Sequence, residues 1–259
     1  MRLKLLATIL CVMAGLATAK PAQAASGAKK AKQATAATAE KKSKQAAPVI
    51  SPAGPEDLKN LLVQMNNSAR TFKTAQADFE WEQYQSVVQE TDVQKGQMYL
   101  LRTGKGMDAA LRITAPVPKQ VVFKDGKLSF YEPKINQVTE RTAGNNRADV
   151  EAFMSLGFGA SGDDLQKSYD VKMEGWETVS GVKTARLELT PKAAKLKNSL
   201  SKIVLWIDPA RSLALQQKFL EPSGDYRLAR YSNIKVNGKL PGDAFKLKTT
   251  SRTKFVHPE

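Results

Sequence analysis

The stretch KIVLWIDPARSLALQQKFLEPSGDYRLARY, Lys202 to Tyr231, constrains the fold more than any other. It holds three strand-like runs, Lys202–Ile207, Leu213–Leu220 and Tyr226–Tyr231. Asp208-Pro209 separates the first pair and Glu221-Pro222-Ser223-Gly224-Asp225 the second. Proline presets φ for a turn and glycine tolerates positive φ, so both breaks are turns with a mechanism. Connections this short make the runs antiparallel neighbours. The first run is apolar on both faces: Ile203, Leu205 and Ile207 on one, Val204 and Trp206 on the other. A sheet with one wet face does not show that pattern. One face can line an interior, while Trp206 either packs under a neighbouring connection or marks a docking patch.

The rest of the chain repeats the theme. From Thr74 the pattern alternates, with Ala75, Ala77, Phe79 and Trp81 on one side and Gln76, Asp78, Glu80 and Glu82 on the other. This is a half-buried strand. Further strands are expected at 93–102, 107–113, 120–123, 127–131 and 135–141, with Asp125-Gly126 as a hairpin turn. More follow at 169–173, 176–179, 183–190, 232–236 and 245–249. Only two substantial helices are expected. One opens at Pro55-Glu56-Asp57 and carries Leu58, Leu61, Leu62, Met65 and Ala69 at helical spacing. The other, Arg147–Leu156, is capped by Asn146 and stopped by Gly157-Phe158-Gly159. Many short strands with turn signals predict a closed or half-closed barrel.

The N-terminal part reads differently. Arg2 and Lys4 precede the apolar run Leu5–Thr18, which is short for a membrane span, and Ala22-Gln23-Ala24 is an A-x-A signal. Residues 1–24 are therefore expected to be a secretory signal peptide. Cys11 lies within that run behind the bulky Leu10, which does not suit a lipid-attachment site. Residues 25–54, rich in Ala and Lys, lack the apolar content to offset ordering entropy and are expected to form a disordered tether. A single domain then spans 55–259. Of the formal charge of +15, the signal peptide carries +3 and residues 25–55 carry +5, leaving +7 on the domain. An exported chain is not expected to meet nucleic acid. Anionic lipid or an acidic partner suits the charge better.

The sequence is poor in catalytic motifs. Gly157–Gly162 matches GxGxxG, yet a helix precedes it where the dinucleotide fingerprint needs a strand. His257 is the only histidine, close to a terminus expected to fray, which disfavours an imidazole triad or metal cage. Asp163 and Asp164 are adjacent and point apart on a helix. No enzyme activity, cofactor or metal is expected. What remains is apolar surface. Phe79, Trp81, Leu100, Leu111, Phe130, Phe153, Met154, Leu205 and Phe219 are either plain core or the lining of a ligand cavity, with Arg147–Leu156 as plug or lid.

The succession of amphipathic helix, FEWEQ, KGQMYLLRTGKG and VVFKDGKLSFYEPKINQV resembles the periplasmic outer-membrane lipoprotein carrier family, LolA-like. The tail from Ser201 to Lys248 resembles that family's sorting-protein branch. The resemblance covers Asp57 to Lys248. It implies a mainly β fold: a half-open antiparallel β-barrel of about eleven strands, with helices covering a hydrophobic cavity. It further implies a monomeric periplasmic carrier of acylated lipoproteins, loaded by an inner-membrane ABC transporter and unloaded to an outer-membrane receptor. A lipid sensor or a pathway-specific lipid carrier on the same fold is the alternative. The family's gating arginine corresponds to Arg102. The proline after it is Thr103 here. A cavity phenylalanine of the family has no counterpart, since Gly106 or Met107 falls there; Met107 is among the residues expected to line the cavity.

Overall fold

In the computed structural model the described residues are 50–258, so the expected signal peptide and nearly all of the expected tether lie outside them. The chain enters as helix α1 (Asp57–Thr71) and then forms a meander of six strands. These are β1 (Thr74–Gln85), β2 (Glu90–Thr103), β3 (Gly106–Ala115), β4 (Lys119–Lys124), β5 (Lys127–Glu132) and β6 (Gln137–Thr142). A 3-10 turn (Gly144–Asn146), helix α2 (Arg147–Ser155) and helix α3 (Gly162–Ser168) lead into a second meander. This comprises β7 (Tyr169–Val179), β8 (Val182–Pro191), the short helix α4 (Ala194–Lys197), β9 (Lys202–Asp208), β10 (Leu213–Leu220) and β11 (Tyr226–Val236). A last strand, β12 (Lys254–Val256), follows an irregular segment.

The two meanders join through β1 and β11 into one open sheet in the order β12-β6-β5-β4-β3-β2-β1-β11-β10-β9-β8-β7. Among the described residues the fold is thus mainly β: twelve strands, unclosed, with a few helices on the concave side. All pairings are antiparallel except β12 on β6, which is parallel. Paired Lys202–Asp208 and Leu213–Leu220 confirm the hairpin read from Asp208-Pro209, and β11 follows on the other side of β10.

Strand β9 explains its own two-faced apolarity. Ile203, Leu205 and Ile207 are fully buried in the main core. Val204 and Trp206 pack with Val179 and Leu215 in a smaller cluster on the opposite face. Trp206 donates its indole N–H to Glu177 Oε2 at 2.7 Å and lies under the Arg186 guanidinium. It is a packed residue rather than an exposed patch. Helix α1 buries Leu61, Leu62, Met65 and Ala69, the stripe expected from its spacing, and lies against α3 and β7.

Several boundaries differ from expectation. Residues 169–179 form one strand, because a bulge between Met173 and Gly175 bends it without ending it. Tyr226–Val236 is likewise continuous, because the β1 partner runs past the position where composition changes. Residues 245–249 are not a strand. Ala244 is buried on Tyr99, Ala110 and Val122, so this segment straps the convex face by side-chain packing. Asn146 gives α2 no side-chain cap, since the preceding 3-10 turn leads straight into it. The capped helix is α3: Ser161 Oγ accepts from Asp164 N at 3.0 Å. His257 is held 3.0 Å from Glu140 rather than frayed.

Candidate functional site

Strand alternation sends every second side chain of β1–β5, β10 and β11 into the concave side. Their inward residues leave a cavity of about 110 Å³. Met98 and Leu100 of β2, Ala109 and Leu111 of β3, and Val121 and Phe123 of β4 form one wall. Phe219 of β10 and Ala229 and Tyr231 of β11 form the other, with Trp81 of β1 between the two. Helix α2 closes the space from outside. It contributes Phe153 and Met154, and the following turn adds Leu156 and Phe158. Phe153 meets Phe219 across the space at 5.2 Å between ring centroids, and Phe158 meets Tyr231 edge-on at 4.9 Å.

The lining is almost wholly apolar, and two of its polar side chains, Tyr231 and Gln217, bond to one another. Tyr231 donates its hydroxyl to Gln217 Oε1 at 2.9 Å, and Gln217 Nε2 donates to the Leu156 carbonyl at 2.5 Å. Burial pushes the Tyr231 hydroxyl well above its ordinary pKa, so it stays a neutral donor. Arg227 pairs with Glu221 at 3.0 Å. A surface like this solvates hydrocarbon and offers little to a charged ligand.

Helix α2 and the turn after it are pinned at both ends by polar contacts to backbone. At its N-terminal end Arg147 Nη2 donates to the Lys105 carbonyl at 2.8 Å, while Nε pairs with Glu151 at 2.6 Å. Gly106 permits this seat: its φ is +135°, and a Cβ there would lie 2.2 Å from the Glu151 carboxylate. At the other end Arg102 Nη2 donates to the Gly159 carbonyl at 2.6 Å, with its guanidinium 5.5 Å from the centre of the Phe72 ring. Gly159 has φ +83°, and a Cβ there would lie 2.5 Å from Phe72. Helix α2 itself buries only Val150. Beyond these polar contacts, Val150, Leu156 and Phe158 anchor it in the core, and the backbone N–H of Ala214 donates to the Gly157 carbonyl at 2.8 Å.

Of the residues expected to line a cavity, Trp81, Leu100, Leu111, Phe153, Met154 and Phe219 do so together. Phe79, Met107, Phe130 and Leu205 lie in the surrounding core instead, the Phe79 ring tilted against Trp81 with centroids 4.5 Å apart. Phe123, Phe158, Gln217 and Tyr231 were not expected. The period-2 rule reaches Gln217 from Phe219 and Tyr231 from Ala229, yet their polar atoms hide them from a search for apolar residues. Among the described residues no three His, Cys, Asp or Glu side chains are grouped to hold a metal ion. No described helix is long and apolar enough to cross a membrane.

Residues 70–248 match the sequence model of the outer membrane lipoprotein carrier protein LolA. An outer-membrane lipoprotein carrier protein of Dechloromonas aromatica (strain RCB) is 25% identical over 199 residues, which span 77% of this chain and 86% of that one. The fold is similar to that of an uncharacterized conserved protein from Thermus thermophilus, with TM-score 0.51 and 12% identity over 77% of this chain and 98% of that chain. A crystal structure of MucB aligns with TM-score 0.49 and 15% identity over 80% of this chain and 67% of that chain.

Proposed function

The chain belongs to the LolA family of outer-membrane lipoprotein carrier proteins, and we propose that it carries lipoprotein acyl chains through the periplasm in the cavity beneath α2. The observation that carries this reading is the lining itself: a nearly unbroken apolar surface from two sheet walls and helix α2. Each methylene removed from water gains about 0.8 kcal/mol, so three acyl chains left exposed would cost on the order of tens of kcal/mol. A carrier must roughly match the membrane's hold on those chains and still release them.

The cavity in this conformation is about 110 Å³. Pockets that engulf sizeable ligands run to about 300–1,000 Å³, so loading requires the lid to lift. Arg102 sits where this motion would be set. Its bond to the Gly159 carbonyl holds the turn after α2 against the sheet. Entering chains would break that bond, and their departure would restore it. Arg102 thereby makes the closed, empty state a competitor to the cargo and keeps binding reversible. An inner-membrane transporter as donor and an outer-membrane receptor as acceptor complete the route in this reading. The Lys-rich stretch of residues 25–54 would act as a spacer ahead of the domain.

The test uses a triacylated peptide and the same peptide without acyl groups. The chain is expected to bind the first in the micromolar range or tighter and the second not at all, by calorimetry at constant pH. Equal binding of both peptides, or binding of neither, refutes the proposal.

A further inference from the structure

The long meander sorts its turns onto two rims. The β2–β3 and β4–β5 turns lie on the rim of the Arg102 latch, and the β1–β2, β3–β4 and β5–β6 turns lie on the opposite rim. This second rim holds most of the large apolar side chains that the fold leaves in water. Val87, 91% exposed, and Val88 cap the β1–β2 turn. Val117 lies between β3 and β4, and Ile135, 60% exposed, between β5 and β6. Phe255, 52% exposed, stands on β12 beside them, because the backbone N–H of Lys254 donates to the Asn136 carbonyl at 3.0 Å. Among the described residues, nothing in the packing of the domain uses these side chains.

The cavity faces the same way. Its partly buried lining residues Trp81, Phe219 and Arg227 sit at the ends of their strands nearest this rim. Its buried residues Leu100 and Phe158 sit toward the latch. Charge is sorted too. Lys134, Arg252 and Lys254 are exposed around Ile135 and Phe255, and none of the three forms an ion pair among the described residues. Glu90 and Asp92 flank the valine tip, so the cationic end lies at β5, β6 and β12.

The spacing of the tips identifies the partner. Neighbouring strands are about 4.8 Å apart, so tips on alternate turns stand roughly 10 Å from one another with polar backbone between. A protein interface needs a contiguous apolar core packed to interior density. A fluid lipid interface closes around isolated apolar tips and supplies phosphates to the cations between them. We propose that this rim rests on an anionic bilayer surface, with the turn tips at the boundary between headgroups and acyl chains and Lys134, Arg252 and Lys254 on the phosphates. The cavity's wetter end then faces the membrane and the latch faces away. This holds whatever the cavity carries.

The experiment is co-sedimentation of the full chain with vesicles, one set of phosphatidylcholine and one of roughly equal phosphatidylcholine and phosphatidylglycerol. Each basic residue near such a surface contributes about a fivefold gain in binding, so the three together give on the order of 100-fold. Lys134→Gln/Arg252→Gln/Lys254→Gln is expected to lose that factor on the anionic vesicles and to flatten the dependence on salt. Val87→Ser/Ile135→Ser/Phe255→Ser is expected to lose tenfold or more on the same vesicles, with the thermal unfolding temperature unchanged. A full chain that sediments with neither vesicle overturns the proposal. So do variants that bind as the parent does, which would place any membrane contact in another surface. Loss of transfer to a protein acceptor with vesicle binding intact also overturns it, because the rim would then be a protein-docking surface.

Discussion

Leu111→Glu should reduce binding of an acylated peptide by at least 100-fold at neutral pH. Leu111 is an inward residue of β3, half-buried on the cavity wall opposite α2. A carboxylate there remains hydrated while the cavity is empty or the lid is raised. Acyl chains filling the space would strip that hydration, at an effective cost of several kcal/mol for an unpaired ion. The group can escape by taking up a proton. Desolvation raises a carboxyl pKa, so binding should recover as pH falls toward 5 and be lost again as pH rises. Parent chain and Leu111→Met should show neither the loss nor that pH dependence. Far-ultraviolet circular dichroism would establish that the variant is folded. Binding that survives unchanged at neutral pH would place the acyl chains elsewhere.

Arg102→Leu should shift the lid toward its open form by about 30-fold or more. The lost bond joins a charged donor to a carbonyl at a part-buried site, a class worth roughly 1.5–3 kcal/mol. The contact over Phe72 adds about 0.5–1 kcal/mol at a partly exposed site. Equilibrium binding of acylated peptide should tighten, because cargo no longer competes with the latch. Transfer to acceptor vesicles or to a receptor should slow by a similar factor, because release no longer regains the bond. Arg102→Lys should be intermediate: it keeps the charge and loses the planar donor geometry. The measurement is the rate of fluorescence change as a labelled lipopeptide leaves the protein. A variant with unchanged uptake and unchanged release removes Arg102 from the gate.

The architecture was legible in the sequence because strand burial has a period of two. Phe79, Trp81, Leu100, Leu111 and Phe219 alternate with polar neighbours or sit beside turn signals, and each faces the concave side. The two-faced run of β9 announced a strand buried on both sides, which it is. The division between cavity wall and solid core was not legible. Phe130 and Leu205 share the hydropathy and spacing of Leu100 and Leu111, yet they are packed in the core while the other pair borders the cavity. Gln217 was missed for the opposite reason. Its pattern is inward but its side chain is polar, and the structure places its amide on the Leu156 carbonyl of the lid turn. Strap and edge are not legible because Ala244 is positioned by packing on Tyr99, Ala110 and Val122, and Lys254–Val256 by pairing with β6, contacts distant in sequence that no local pattern encodes.

Trp81 offers the most direct test of the central claim. It lines the cavity, whereas Trp206 packs in the cluster on the opposite face of β9 and Trp176 lies on the edge strand β7, its indole bonded to Asp57. The measurement is tryptophan fluorescence during titration with a lipopeptide whose acyl chains carry bromine, a quencher that acts at contact range. The account predicts saturable quenching in the parent chain and its loss in Trp81→Phe at equal lipopeptide binding. Quenching of the same depth in Trp81→Phe would show that the chains lie outside the cavity and would contradict the account.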